Sequence, residues 1–99
     1  MMSTLLIKNI QSEMYEENAY ILKVIANPVR LEIIKQLNKH NTLNVKQLTK
    51  ILGISQSTTS QHLSKMKRII LLSKRNGTEI YYQISNEKVV QILKILQDV

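Results

Sequence analysis

The sequence predicts a mainly α fold with a small β component, on three observations. Five stretches repeat apolar residues at spacings of three and four, the helical period. The third and fourth of these are separated only by Gly53-Ile54, which leaves room for nothing but a tight helix–helix turn. Asn76-Gly77 stands between the strand-like runs "LLSKR" and "TEIYYQIS", the strongest short-range hairpin signal. The predicted order is helix, helix, short strand, helix, helix, hairpin, helix. That order is a winged helix-turn-helix, with the hairpin as the wing.

At 99 residues one domain is expected, with residues 1–11 as a tail and 12–99 as the folded unit. A first helix is predicted from Ser12 or Glu13. Glu13, Glu16 and Glu17 place negative charge at its start, where the helix dipole favours it. Its apolar residues are Ile21, Leu22, Val24 and Ile25. Asn27-Pro28 opens the second helix, Asn as cap and Pro at the first position. Val29, Leu31, Ile33, Ile34 and Leu37 give it an apolar face, and it should stop near Lys39–Asn41.

"TLN", Thr42–Asn44, reads as extended, with Asn44 placed to cap a third helix over about residues 45–52. Val45, Leu48, Ile51 and Leu52 are expected to face inward, and Gly53 to end the helix. Ser55 caps a fourth helix. At about 100° per residue, Thr59, Leu63, Met66 and Ile70 share one stripe. Ser57, Gln61, Ser64 and Arg68 share the opposite one. Thr58 and Lys65 flank the outer face, and His62 flanks the buried stripe. After the hairpin, one of Tyr81 and Tyr82 should pack inward. "NEKVVQILKILQDV" is a last amphipathic helix, capped by Ser85 or Asn86. It is apolar over more than half its surface, more than one small domain needs to bury. An excess of that kind at a terminal helix marks a dimer contact.

Residues 55–61 are seven uncharged polar residues in a row at the start of a helix. Ser and Thr are mediocre helix formers, because their hydroxyls compete for backbone groups. In a helix-turn-helix, however, the second helix enters the major groove with its N-terminal residues against base edges. Short side chains that donate and accept suit that position, and Gln pairs adenine bidentately. Fourteen bases against seven acids give a net charge of +7. Between Glu32 and Glu79 lie nine bases and no acid, a directional field suited to a polyanion. The wing bases Lys74 and Arg75, with Asn76 and Gly77, are placed to reach an adjacent minor groove or its phosphates.

The elements "LKVIANPVRLEIIKQL", "ISQSTTSQHLSKMK" and "GTEIYYQIS" resemble the ArsR/SmtB family of winged-helix repressors over roughly residues 13–99. Length, "KHNTLNVKQL" and "EIYYQIS" most resemble the repressors of virulence-plasmid operons in bacilli. The resemblance implies a homodimer built from the first and last helices, with Ile21, Leu22, Val89, Ile92, Leu93 and Leu96 at its interface. It implies binding to double-stranded promoter DNA at an imperfect inverted repeat, with residues 55–68 in the major groove and the wing, 71–84, beside it. Base readout then falls to Gln56, Ser57, Thr58 and Gln61. Lys46, Ser60, His62, Lys65 and Arg68 would hold the backbone or support the readers. For His62, bridging core to backbone is an equal alternative.

The chain departs from the family where metals bind. Metal-sensing members carry Glu-Leu-Cys-Val-Cys-Asp-Leu on the third helix, and the same register here reads Thr42 to Leu48 with Asn44 and Lys46 at the cysteine positions. The other family site falls on Asn86 and Lys88, with its late His position at Val99 and no residue after it. No metal and no cofactor is expected. The family's glycine after the recognition helix is Ile70 here, so the helix should run longer or enter the first strand differently.

Two other roles compete: a non-specific architectural DNA-binding protein, and a protein-interaction module using the apolar last helix. An enzyme is not expected. No Ser/His/Asp arrangement has plausible geometry, no carboxylate pair lies outside the N-terminal glutamates, and two glycines leave no phosphate-cradling loop. There is no cysteine, the longest aliphatic run is four residues, and no secretory signal is evident, so a cytoplasmic location is expected.

Overall fold

A computed structural model describes residues 12–97. The tail expected over residues 1–11 lies outside them. The described residues form five helices and one three-stranded sheet. In chain order these are α1 (Ser12–Ile25), α2 (Pro28–His40), β1 (Leu43–Asn44), α3 (Val45–Leu52), α4 (Gln56–Met66), β2 (Leu71–Asn76), β3 (Glu79–Ile84) and α5 (Glu87–Gln97). The sheet is antiparallel, with β3 between β1 and β2. This is the predicted order of elements.

The helix starts are fixed by side chains one to three residues away. Asn27 Oδ1 accepts from the backbone N–H groups of Val29 and Arg30 at 2.9 and 3.2 Å, and Pro28 follows at the first turn. Asn44 Oδ1 accepts from the Gln47 N–H at 2.8 Å while Gln47 Oε1 accepts from the Asn44 N–H at 2.9 Å, a reciprocal capping box. Ser55 Oγ accepts from the Thr58 N–H at 3.1 Å. Gly53 takes φ +67 and stops α3, its N–H donating to the Thr49 carbonyl.

One core holds these pieces together. Ile33, Ile34 and Leu37 of α2 meet Leu48 of α3, Leu63 and Met66 of α4, and Val89 and Leu93 of α5, with Tyr82 and Leu43 closing the sheet side. Tyr82, rather than Tyr81, is the tyrosine that packs inward. A fully buried aliphatic side chain contributes about 1.5–3 kcal/mol, so this cluster dominates stability.

Three details differ from expectation. Ile51 is 43% exposed. Its position lies about 95° from the centre of the Val45–Leu48–Leu52 stripe, too far round for a helix buried on one narrow face. Helix α4 stops at Met66, and Arg68 stands beyond it at φ +77. The chain therefore enters β2 through a left-handed residue, and Arg68 is no part of the helical outer stripe. Ile70 is still fully buried, reached through the turn. In the hairpin, Asn76 pairs with Glu79, so the two loop residues are Gly77 and Thr78 rather than Asn76 and Gly77. Gly77 alone has positive φ, +67, which matches the first position of a type II′ turn.

Candidate nucleic-acid interface

Helix α4 is pinned from beneath by Thr59. This side chain is fully buried, and its hydroxyl donates to the Ser55 carbonyl at 3.0 Å. The Thr49 hydroxyl of α3 donates to Thr59 Oγ1, also at 3.0 Å. Leu63 and Met66 complete the buried stripe. The rotation of α4 about its axis is therefore set, and with it the identity of the residues that face out.

Gln56, Ser57 and Gln61 are exposed, while Thr58 and Ser60 are half-buried. Thr58 Oγ1 accepts from the Ser55 hydroxyl at 2.9 Å, so its hydroxyl is partly engaged in capping. Ser57, Ser60, Gln61, Ser64 and Lys65 line a shallow groove along the outer face of α4. Lys46 is exposed on α3, and Arg68 is exposed beyond the end of α4. On the wing, Lys74, Arg75, Asn76 and Gly77 are all exposed. Lys74 pairs with Tyr81 and Arg75 with Ile80, so the two bases project from opposite faces of the hairpin.

His62 is tied inward. Its Nδ1 accepts from Arg30 Nε at 3.1 Å. Burial, then the charges of Arg30 and Lys65, hold its pKa below the ordinary histidine value. A neutral ring accepting at Nδ1 carries its proton on Nε2. The ring thus ties α4 to the Arg30 side chain of α2.

Arg30 is the residue that sequence reasoning missed. Its Nη1 donates to the Val24 carbonyl at 2.8 Å. That carbonyl lies in the last turn of α1, and the residue four positions on is Pro28, which has no N–H to offer. Arg30 supplies the missing donor and places its charge at the negative end of the α1 dipole. One side chain so joins α1, α2 and α4. The Asn27–Leu31 element was legible in the sequence, but nothing local to it announces a partner thirty-two residues away.

The six residues assigned to a dimer contact divide into two groups. Ile21, Val89 and Leu93 are buried in the protomer's own core, which leaves them almost no surface for a partner. Leu22 and Leu96 are 55% and 53% exposed, and Ile92 is half-buried. Ile95, not among the six, is 68% exposed. Leu22, Ile92 and Ile95 line a groove between α1 and α5, with Lys88 Nζ bonded to Asn18 Oδ1 across it at 3.3 Å. Around α5, the buried and exposed apolar stripes are centred about 110° apart. Among the described residues, no three His, Asp or Glu side chains cluster as metal ligands.

A helix held fast from below and left polar above, beside a basic hairpin, is built to lie on a duplex. The class is that of DNA-binding winged-helix transcription regulators. The chain belongs to the arsR family of bacterial regulatory proteins, whose family model matches residues 27–74. It is 49% identical over 84 residues to the transcriptional repressor PagR of Bacillus anthracis, covering 85% of each chain. It superposes on the crystal structure of PagR with a TM-score of 0.82 at 48% identity, covering 87% of this chain and 99% of that one. It superposes with a TM-score of 0.79 at 26% identity on the homodimeric winged helix-turn-helix DNA-binding domain Mb0332 of Mycobacterium bovis, covering 90% of this chain and 82% of that one. No helix among the described residues is long and apolar enough to cross a membrane.

Proposed function

We propose that this protein is a cytoplasmic transcriptional repressor that binds an imperfect inverted repeat in promoter DNA as a homodimer. The observation that carries the proposal is the uncharged polar outer face of α4, held in one orientation by Thr59 within an acid-free segment. Gln56, Ser57, Thr58 and Gln61 read bases in the major groove. Lys46, Ser60, Lys65 and Arg68 hold phosphates, His62 positions the reading helix from behind, and Lys74 to Gly77 lie beside the groove. The exposed apolar strip of Leu22, Ile92, Ile95 and Leu96 forms the contact between copies. Neither Asn44 nor Lys46 supplies a thiolate, and Asn44 Oδ1 is engaged in the capping box, so in this reading repression does not depend on a metal bound on α3.

The test is binding to duplexes selected from a random library. An inverted repeat is expected, with half-sites about one helical turn, roughly 34 Å, apart. Gln61→Ala is expected to change the preferred base at one position of each half-site. Lys65→Ala should weaken every sequence about equally and lower the salt slope by about one. Retention of DNA with no enriched sequence would defeat the proposal, as would the same response to both substitutions.

A further inference from the structure

A cleft of about 400 Å³ opens between α1, α2 and α4, beside the face that reads DNA. Lys23 of α1, Arg30 of α2 and Lys65 of α4 all line it, together with Tyr20 and Asn27. Among the described residues, no acidic side chain does. Three bases from three helices, gathered without a counter-charge, repel one another, and an anion seated among them removes that cost.

The donors are arranged for such an anion. The Arg30 guanidinium is already held by its bonds to His62 and Val24, which leaves Nη2 unengaged on a fixed plane. The N-terminus of α2 adds the positive end of a helix dipole, set against the negative end of α1, whose Val24 carbonyl Arg30 already covers. Tyr20 is 44% exposed and lies about 160° round α1 from Leu22, so it stands off the apolar strip assigned to the dimer. His62, next to Arg30, is held neutral in part by the charges of Arg30 and Lys65, which reports the same positive field. Lys65 also lines the groove on the outer face of α4, so the cleft and the reading face are continuous.

We propose that this cleft is a phosphate-binding site, and that the phosphate it seats belongs to the DNA backbone flanking the half-site read by α4. The protein's grip on DNA then reaches past the reading helix and wing to the end of α1. The proposal rests on the reading of α4 given above. Its chemistry would equally admit a free phosphate compound, and the test separates the two sources.

Lys23→Gln and Tyr20→Phe are made in the full chain, with circular dichroism as the check on folding. In the first arm, affinity for the selected duplex is followed against salt. Lys23→Gln should lower the salt slope by about one, so that over a four-fold rise in salt the variant loses about 3.5-fold less affinity than the parent. Its preferred sequence should not change. In the second arm, the DNA-free protein is titrated with inorganic pyrophosphate and followed by NMR. Localised shifts at Tyr20, Lys23 and Arg30, absent in Lys23→Gln, with no effect on the salt slope, assign the site to a free phosphate compound instead. An unchanged slope together with no localised shifts overturns the site. The Gln61→Ala result reports separately on base reading, so failure of the cleft and failure of the DNA-binding role are distinguishable.

Discussion

Replacing Arg30 with alanine should destabilise the fold by about 2–3 kcal/mol, well beyond the effect of an ordinary surface substitution. The estimate follows from two bonds. Nη1 meets the Val24 carbonyl at 2.8 Å and Nε meets His62 Nδ1 at 3.1 Å. Hydrogen bonds from charged donors contribute about 1.5–3 kcal/mol each. Arg30 is half-buried, so water replaces part of what is lost, which places the pair near the lower end. For a domain of this size the melting temperature falls by about 4–8 °C per kcal/mol, hence by roughly 8–24 °C here. Urea unfolding followed by circular dichroism is the assay, at one fixed protomer concentration because dimer stability depends on it. A double-mutant cycle with His62→Ala should return a coupling of about 1 kcal/mol, the share of the bond between the two. Arg30→Lys should recover less than half, since one ammonium cannot span both acceptors. A loss below about 0.5 kcal/mol, or an additive cycle, would refute the assignment of Arg30 as the joint between α1, α2 and α4.

Three further outcomes are expected. Thr59→Val keeps the shape and removes a hydroxyl that is bonded twice, so the urea midpoint should fall by the equivalent of about 1–2 kcal/mol; a neutral or stabilised variant would mean the hydroxyl ties do not hold α4. Stability should decline as pH falls from 7 towards 5, because the folded-state pKa of His62 lies below its ordinary value of 6.5 and the unfolded chain takes up the proton first. The His62 contribution is complete above that ordinary value and is lost on descending through the folded one; His62→Gln should flatten the urea midpoint over this range. Ile95→Glu should convert dimer to monomer in light scattering while leaving the helical spectrum intact, since Ile95 is 68% exposed in the protomer; an unchanged mass would move the contact elsewhere.

What could be read from sequence was what depends on near neighbours. Asn27, Asn44 and Ser55 cap helices through bonds to N–H groups two or three residues on, and each was legible as a cap. Gly53 announced the turn, and the stripe of Thr59, Leu63 and Met66 announced which side of α4 is buried. The misreadings arose where periodicity names a set of apolar residues without naming what each one faces. Helix α5 carries two apolar stripes, and composition alone does not say that Val89, Val90 and Leu93 turn inward while Ile95 and Leu96 do not. Nor does a two-turn helix such as α3 show that Ile51 lies outside its narrow stripe. The hairpin was placed correctly, but its register shifted by one residue, because Asn-Gly marks a turn without fixing which residue begins it. The bond between Arg30 and His62 lay beyond sequence reasoning, since it is made only by tertiary packing.

Of the two positions at which metal-sensing members carry cysteines, one is put to structural use in this chain. Asn44 is nearly buried, pairs with Tyr81 in the sheet and closes the capping box that starts α3. Lys46 is exposed at the second position of the same helix. One side chain away from these positions connects the two functional ends of the protomer. Arg30 completes the end of α1, the helix that carries Leu22, and holds His62 on the reading helix α4. In the proposed site a phosphate would add a counter-charge beside Arg30 without breaking either of its bonds. On that proposal Arg30 would link occupancy of the cleft to the placement of the reading helix, an arrangement that a flanking DNA phosphate would reinforce on binding.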